Sequence, residues 1–367
     1  MKALFFADLH LDTQFQWMGS EQAARRRRQG LRQTLLNIRQ LANDHRVDVV
    51  LCAGDLYEHA RFSLDTAGFV RDVFAGLSPI PVIIAPGNHD WYGPQSLYHQ
   101  VTWSSNVRVF TNAKLFPMPL ADGLTLWGAA HRAPANTDGF LDAFVVDRGG
   151  VNIALFHGSE QGWLAQQEGG KPPHAAFREV QIEQAGLHHA FVGHYHRPRY
   201  AERYTYPGNP EPLAFGEDGE RGAVLVNIRP DGKVDQLPLR VGVTTVHDLR
   251  VDVTGCRSQQ DVRDRLVHQI HGLAGVARVT LYGELSDAVD LRIIDLQSIS
   301  TQLDGLVIQK GRVYPAYDFD VLKGEATVRG EFVREVLQAA ELTDEDRTRV
   351  LVAGLRALDG RNDLEIL

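Results

Sequence analysis

At 367 residues, 44% hydrophobic and 23% charged, the chain has the composition of a soluble globular protein and is too long for one typical domain, so two folded units are expected. Its formal net charge of −8 excludes a global basic field for nucleic acid, although local patches and bound divalent cations can reverse the sign at a site. Two cysteines, Cys52 and Cys256, are too few and too far apart for a disulfide framework or a zinc knuckle, and no uncharged apolar run approaches the roughly 20 residues that cross a bilayer.

KALFFA opens the chain as a buried strand, followed at once by Asp8 and His10. Asp8 and Asp12 interrupt the apolar start before a signal-peptide core can form, and a cytoplasmic location is expected. Residues 21–45 carry Leu31, Leu35, Ile38 and Leu41 at helical spacing. Early in that helix lies the run Arg25, Arg26, Arg27 and Arg28, with Trp17 upstream. The run is either a solvated helix face or a set of phosphate contacts, because arginine forks suit phosphates and aromatic rings stack on bases. VDVVLCA is a second strand, with Cys52 as a buried thiol, and it leads into Asp55 and Glu58 of AGDLYE. Residues 64–77 repeat the helical pattern through Phe69, Val70, Val73 and Phe74.

The strand PVIIAP runs into Asn88, His89 and Asp90 of PGNHD, and LTLWGAA is followed by His131, a loop histidine or a substrate contact. VNIALF precedes His157, and HAFVGH carries His194 with His196 two positions on. After Pro207, RGAVLVNI and KVDQLPL form two strands joined by the turn Pro230, Asp231, Gly232, closing a first domain at residue 240. A smaller α/β unit over 241–328 follows: VTTVHDLRVDV, a helix through Val262, Leu266 and Ile270, the strand ARVTLYGEL, a helix over 296–303, and GLVIQK. From there to residue 367, EFVREVLQAAEL and RTRVLVAGLRALDG are helical, the second capped around Thr343, Asp344 and Glu345.

The acids, amides and histidines cluster directly after strands, and the carboxyl ends of neighbouring strands in an open α/β sheet converge on one crevice. Asp8, His10, Asp55, Asn88, His157, His194 and His196 can therefore meet. Carboxylate and amide oxygens mixed with imidazole nitrogens suit Mn, Fe, Co, Ni or Zn, and the lack of thiolates argues against a structural zinc site. Seven donors exceed what one ion takes, whereas two ions sharing a bridging carboxylate would use them all.

The blocks ADLH, GDLYE, GNHD, FHGS and GHYH, in this order, resemble the calcineurin-like metallophosphoesterases over residues 1–240. FADLHLD, RFSLDTAGFV and YPGNPEP most resemble the SbcD-type DNA repair nucleases. The resemblance implies a layered α/β sandwich of two sheets flanked by helices, with a smaller α/β capping domain and C-terminal helices. It assigns Asp8, His10, Asp55 and His196 to one metal and Asp55, Asn88, His157 and His194 to the other, with Asp55 bridging and Mn the first choice of ion. The implied reaction is hydrolysis of DNA phosphodiester bonds, exonucleolytic or endonucleolytic, by a hydroxide shared between the two ions. His89 would donate a hydrogen bond or proton to the phosphate or leaving oxygen, oriented by Glu58 or Asp90.

The capping unit would shape DNA, single-stranded or at duplex ends. The C-terminal helices would dock on an SbcC-like coiled-coil ATPase, although Val333, Val336, Leu337, Val350, Leu351 and Leu355 could equally pack on the chain's own core. A second copy of the chain is a further expected partner, and a membrane is not. Competing functions are a phosphatase or phosphodiesterase for small molecules or proteins, and a scaffold without catalysis.

Overall fold

Runs with no polar face become strands buried on both sides. In the computed structural model, which describes residues 1–135, 137–167, 173–286, 289–297, 299 and 302–360, β1 (Lys2–Phe6), β2 (Val49–Cys52) and β3 (Val82–Ile84) are such runs. Leu4, Phe6, Val50, Cys52, Val82 and Ile84 point to one face, while Ala3, Phe5, Val49, Leu51 and Ile83 point to the other. The first face is covered by α1 (Glu21–Asp44) and α2 (Leu64–Ala75). Ser20 caps α1 by accepting from Ala23 N at 3.2 Å, and Ser63 caps α2 through Thr66 N at 3.2 Å.

The chain continues through α3 (Leu97–Gln100), β4 (Val107–Val109), β5 (Phe116–Ala121), β6 (Leu124–Gly128) and β7 (Val151–His157). It then runs through α4 (Leu164–Gln167), α5 (Glu179–Gln184), β8 (His189–Gly193), β9 (Arg199–Tyr200), β10 (Tyr204–Tyr206), β11 (Gly222–Ile228) and β12 (Val234–Arg240). One six-stranded sheet has the order β12-β11-β1-β2-β3-β4 and the other β5-β6-β7-β8-β10-β9. Phe5, Leu51 and Ile83 of the first interdigitate with Leu126, Ile153, Leu155 and Phe191 of the second. The Phe5 and Phe191 rings sit 5.0 Å apart, a contact worth about 1 kcal/mol beyond the area it buries. Trp127, Phe156 and Val192 pack with Phe177 and Ile182 on the outer face of the second sheet. The architecture is a four-layer α/β sandwich.

Four strands escape the sequence reading. β4, β9 and β10 are only two or three residues long, and β5 holds Pro117 and Pro119, which an edge strand tolerates because one side needs no N–H donors.

The described residues fall into two compact units: Met1–Asp248 with Gly272–Arg278 and Gln302–Val307, and Leu249–His271 with Val279–Thr301 and Ile308–Leu367. Downstream lie β13 (Val246–Asp252), α6 (Gln259–Ile270), β14 (Val276–Leu285), α7 (Ile293–Leu296), β15 (Gly305–Pro315), α8 (Phe319–Leu322), α9 (Val328–Gln338) and α10 (Asp344–Leu358), and the three strands form a sheet in the order β13-β14-β15. The helix expected over 296–303 is instead α7, which ends at Leu296; Ser298, Ser300 and Thr301 lie outside the described residues.

Within the second unit, Leu322, Val333, Leu351 and Leu355 fill one core, with Val336 and Leu337 against it, while Val350 is exposed. Arg356 is buried on Glu284, with Nε to Oε1 at 2.8 Å. Most of the apolar residues in the C-terminal helices are therefore used internally. No helix among the described residues is long and apolar enough to cross a membrane.

Candidate metal centre

β1, β2 and β3 run parallel, as do β7 and β8, so each sheet delivers its strand ends in one direction. The chain turns sharply as it leaves each. Asp8, His10, Asp55 and His194 have φ of 56°, 50°, 50° and 108°, a region that side chains avoid and that persists only when the surroundings hold it. The holding contacts are visible. Asp8 N donates to Gly54 O at 3.0 Å, His10 N to Asp55 O at 2.9 Å, and His194 N to the Asp8 carboxylate at 2.9 and 3.1 Å. Gly87 is needed because a Cβ there would meet Asp55 Oδ1 at 2.4 Å and His157 Nδ1 at 2.8 Å.

The seven residues singled out in the sequence come together. Ligand atoms of Asp8, His10 and His196 lie within 4.8 Å of one another, as do those of Asp55, His157 and His194. Asn88 Oδ1 is 3.0 Å from His157 Nε2. His10, Glu58 and His89 form a third such group.

The tautomers explain what the two triads are built for. His157 Nδ1 faces the Ala53 carbonyl at 2.8 Å, which can only accept, so that nitrogen carries the proton. Burial lowers the His157 pKa, which keeps the ring neutral. Its Nε2 lone pair then points at two more acceptors, Asp55 Oδ2 at 3.2 Å and Asn88 Oδ1 at 3.0 Å. His10 repeats the arrangement: Nδ1 donates to Glu58 Oε1 at 2.8 Å, while the buried Nε2 has no hydrogen-bond partner and looks toward Asp55 Oδ2 at 3.6 Å. Converging lone pairs with no hydrogen between them suit a cation. Burial, then the charges of Asp55 and Asp90, push Asp8 up to about 8 against the pull of His196, so a charged Asp8 here wants a positive partner.

The sequence left Glu58 and Asp90 as alternative partners for His89, and the structure separates them. Glu58 Oε2 faces His89 Nδ1 at 3.1 Å. Burial works to lower the His89 pKa, but the Glu58 hydrogen bond and the charges of Asp55, Glu58 and Asp90 outweigh it and raise it to about 9. Asp90 instead anchors the backbone, accepting from Asp55 N at 3.0 Å, Gly87 N at 2.6 Å and Leu56 N at 2.8 Å, and from the Tyr98 hydroxyl.

His131 does not face the opening. It is fully buried, with Nε2 against His157 O and Nδ1 against Thr137 Oγ1, both at 2.8 Å. The arginine run is dispersed. Arg27 is buried on Glu211 at 2.6 Å, Arg25 and Arg28 pair with Glu21 at 3.2 and 2.6 Å, and Arg26 donates to Asp304 O at 2.6 Å.

Sequence reasoning missed the wall supplied by residues 208–221. Glu217 Oε1 meets His196 Nδ1 at 2.7 Å, and its Oε2 accepts from Asn209 Nδ2 and Leu213 N, both at 2.6 Å. Glu217 thereby does for His196 what Glu58 does for His10. An FGED segment after YPGNPEP carries no chemistry by itself; only the folded return of the chain reveals its role. The resulting cavity, about 950 Å³, is lined by Asp55, Asn88, His89, His194 and His196 and by His174, Glu217 and Arg221.

The calcineurin-like phosphoesterase family matches residues 1–198. The chain belongs to that family. As a calcineurin-like phosphoesterase it is of a kind that uses a binuclear divalent metal centre, and the two triads are the candidate ligand sets.

Among known relatives, the chain is 27% identical over 234 residues to the metallophosphoesterase YhaO of Bacillus subtilis, covering 60% of this chain and 56% of that one. It is 24% identical over 307 residues to the DNA double-strand break repair protein Mre11 of Methanopyrus kandleri, covering 72% and 62%. The chain thus spans less than two thirds of either relative's length. Among solved structures it is similar to TT1561 of Thermus thermophilus, at 13% identity and a TM-score of 0.38 over 65% of this chain and 98% of that one.

Proposed function

We propose that the chain is a two-metal phosphodiesterase acting on DNA, an SbcD-like repair nuclease that works with Mn. The observation that carries the hydrolytic part is the convergence of carboxylate oxygens and imidazole nitrogens from two triads at one cavity, with His89 at its exposed rim. The DNA part is supported by the Mre11 relative and by the sequence segments that resemble the SbcD type.

In this reading Asp8, His10 and His196 would hold one ion and Asn88, His157 and His194 the other, with Asp55 available to both. When bound, two divalent cations supply an acidified water and neutralise charge on the phosphate. Glu58 keeps His89 protonated, and His89 presents that proton to the phosphate or the leaving oxygen. Glu58 and Glu217 fix the tautomers of His10 and His196, so that each offers Nε2 inward. Residues 1–240 would be the catalytic domain, 241–328 the capping unit, and 329–367 the segment that docks an SbcC-like ATPase or a second copy, in the cytoplasm.

The test is incubation of the metal-stripped chain, reloaded with Mn, with single-stranded DNA, duplex DNA, bis-p-nitrophenyl phosphate and p-nitrophenyl phosphate, beside Asp55→Ala. Cleavage of DNA and of the diester, lost in the variant, is expected. Cleavage of the monoester alone would overturn the assignment.

A further inference from the structure

Apart from His89, which is assigned to the scissile phosphate, the cavity that joins the triads has few cations to offer a substrate. Its lining residues include two arginines, Arg197 and Arg221. Arg221 is fully engaged. Its Nε donates to Glu217 O at 2.8 Å, Nη1 to His196 O at 2.9 Å and to the Asn209 side chain, and Nη2 to Asp218 O at 3.3 Å. Arg197 lines the same cavity but is exposed, and its guanidinium makes no hydrogen bond or ion pair with the described residues.

The backbone that carries Arg197 is nevertheless fixed. On one side His196 O accepts from Asn209 N at 3.1 Å as well as from Arg221. On the other, Pro198 restricts the backbone of the residue before it to extended conformations. The side chain is thus an exposed cation on a fixed backbone, one residue along from a candidate metal ligand. Asp218 and Glu220 line the same cavity. They repel a phosphate that approaches on their part of the wall, whereas Arg197 attracts one.

We propose that Arg197 forms a subsite for a phosphate group flanking the one that is cut. This rests on the phosphodiesterase reading and deepens it, because it names the substrate class: chains bearing a second phosphate beside the scissile diester, as a nucleic-acid strand does, over isolated diesters. The chemistry is suited to the task. A guanidinium fork binds phosphate oxygens in pairs, and an exposed arginine loses little hydration that the phosphate does not replace. The arginines at 25–28 cannot serve this cavity, since none of them lines it.

Two chromogenic diesters isolate the effect. The p-nitrophenyl 5′-ester of thymidine 5′-phosphate has one phosphate, and the same ester of thymidine 3′,5′-bisphosphate adds a second at the 3′ position. Both release p-nitrophenolate by the same bond cleavage. With Mn-loaded protein, Arg197→Gln is expected to raise KM for the bisphosphate about tenfold, the size of one charge-assisted contact. The rise for the one-phosphate ester is expected to be several-fold smaller, with kcat little changed for either. Asp218→Asn combined with Glu220→Gln is expected to move KM for the bisphosphate the other way, which general damage to the fold would not do. On a single-stranded oligonucleotide, the slope of log KM against log salt becomes shallower by about 0.7 in Arg197→Gln.

Equal changes for the two esters, or none, would overturn the subsite while leaving the hydrolytic activity in place. Failure of the wild-type chain to hydrolyse either ester would overturn the phosphodiesterase reading and the subsite with it.

Discussion

Replacing Gly87 with Ala places a methyl carbon 2.4 Å from Asp55 Oδ1, 2.8 Å from Asp55 N and 2.8 Å from His157 Nδ1. Carbon and oxygen that are not bonded settle at about 3.4 Å or more, so something must shift by roughly 1 Å. The Asp55 amide is held by Asp90 Oδ1 at 3.0 Å, and Gly87 N is held by the same atom at 2.6 Å. The Asp55 carboxylate is freer to move, and moving it breaks the 2.8 Å bond it accepts from His89 N. Overpacking of this kind costs about 1–3 kcal/mol of stability. Displacing a group by ~1 Å at a reacting centre can cost on the order of 100-fold in rate.

Asp55 faces both His10 and His157, so Mn affinity is expected to fall with turnover, by about 10- to 100-fold. Calorimetric titration of Mn into the metal-stripped variant, turnover of bis-p-nitrophenyl phosphate at saturating Mn, and thermal melting measure the three effects separately. A Gly87→Ala protein with wild-type Mn affinity and wild-type turnover would refute the view that Asp55 is the shared, tightly seated carboxylate of the pocket.

Glu217→Gln keeps the shape of the side chain but removes the charge behind His196; Mn affinity is expected to drop about 10- to 100-fold by titration calorimetry, and an unchanged affinity would remove Glu217 from the site. Glu58→Gln takes away the partner that holds the His89 pKa at about 9, so the alkaline limb of the pH–rate profile should move to lower pH, and a limb that stays put would assign that proton elsewhere. In metal-stripped protein burial raises the Asp8 carboxyl to about 8 from an ordinary 3.8, so at this group the folded chain holds a proton that the unfolded chain has lost between those values, and the Asp8 contribution to stability falls as pH rises across that window. Mn must displace that proton, so its apparent affinity should climb by up to tenfold per pH unit toward pH 8; a flat dependence in calorimetry between pH 6 and 8 would exclude Asp8 as a ligand.

The seven pocket residues were legible because the signal is local. Each lies within four residues of an apolar run that becomes a strand, and strand ends are where α/β folds place their crevices. The strands themselves were equally plain wherever both faces are buried. Local pattern gives no account of partners that arrive from far along the chain. Arg27 looks like its neighbours in sequence, yet it turns inward because Glu211, 184 positions away, is buried against it. His131 follows a strand just as His157 does, but its loop folds beneath His157 instead of into the opening. For orienting His89, local pattern favoured Glu58 only slightly over Asp90; in the fold the Tyr98 hydroxyl and three backbone amides occupy Asp90, whereas Glu58 Oε2 faces His89 Nδ1.

One crevice reads from the sequence as the edge of one sheet, whereas the pocket draws on two. Asp8, His10, Asp55 and Asn88 follow strands of the first sheet, and His157, His194 and His196 follow strands of the second. The spacing between the triads' members is therefore set by the apolar layer between the sheets, in which Phe5 meets Phe191 and Leu51 packs near Leu155. The Asp8 carboxylate stitches that layer shut at its polar end by accepting from His194 N, and the Ala53 carbonyl does the same for His157 Nδ1. Both bonds join a residue after a first-sheet strand to one at or after the end of a second-sheet strand, and both use groups beside a candidate ligand. The contacts that close the sandwich and the contacts that aim the imidazoles are thus the same contacts, which is why strained backbone at Asp8, His10, Asp55 and His194 can be held in place without a dedicated scaffold.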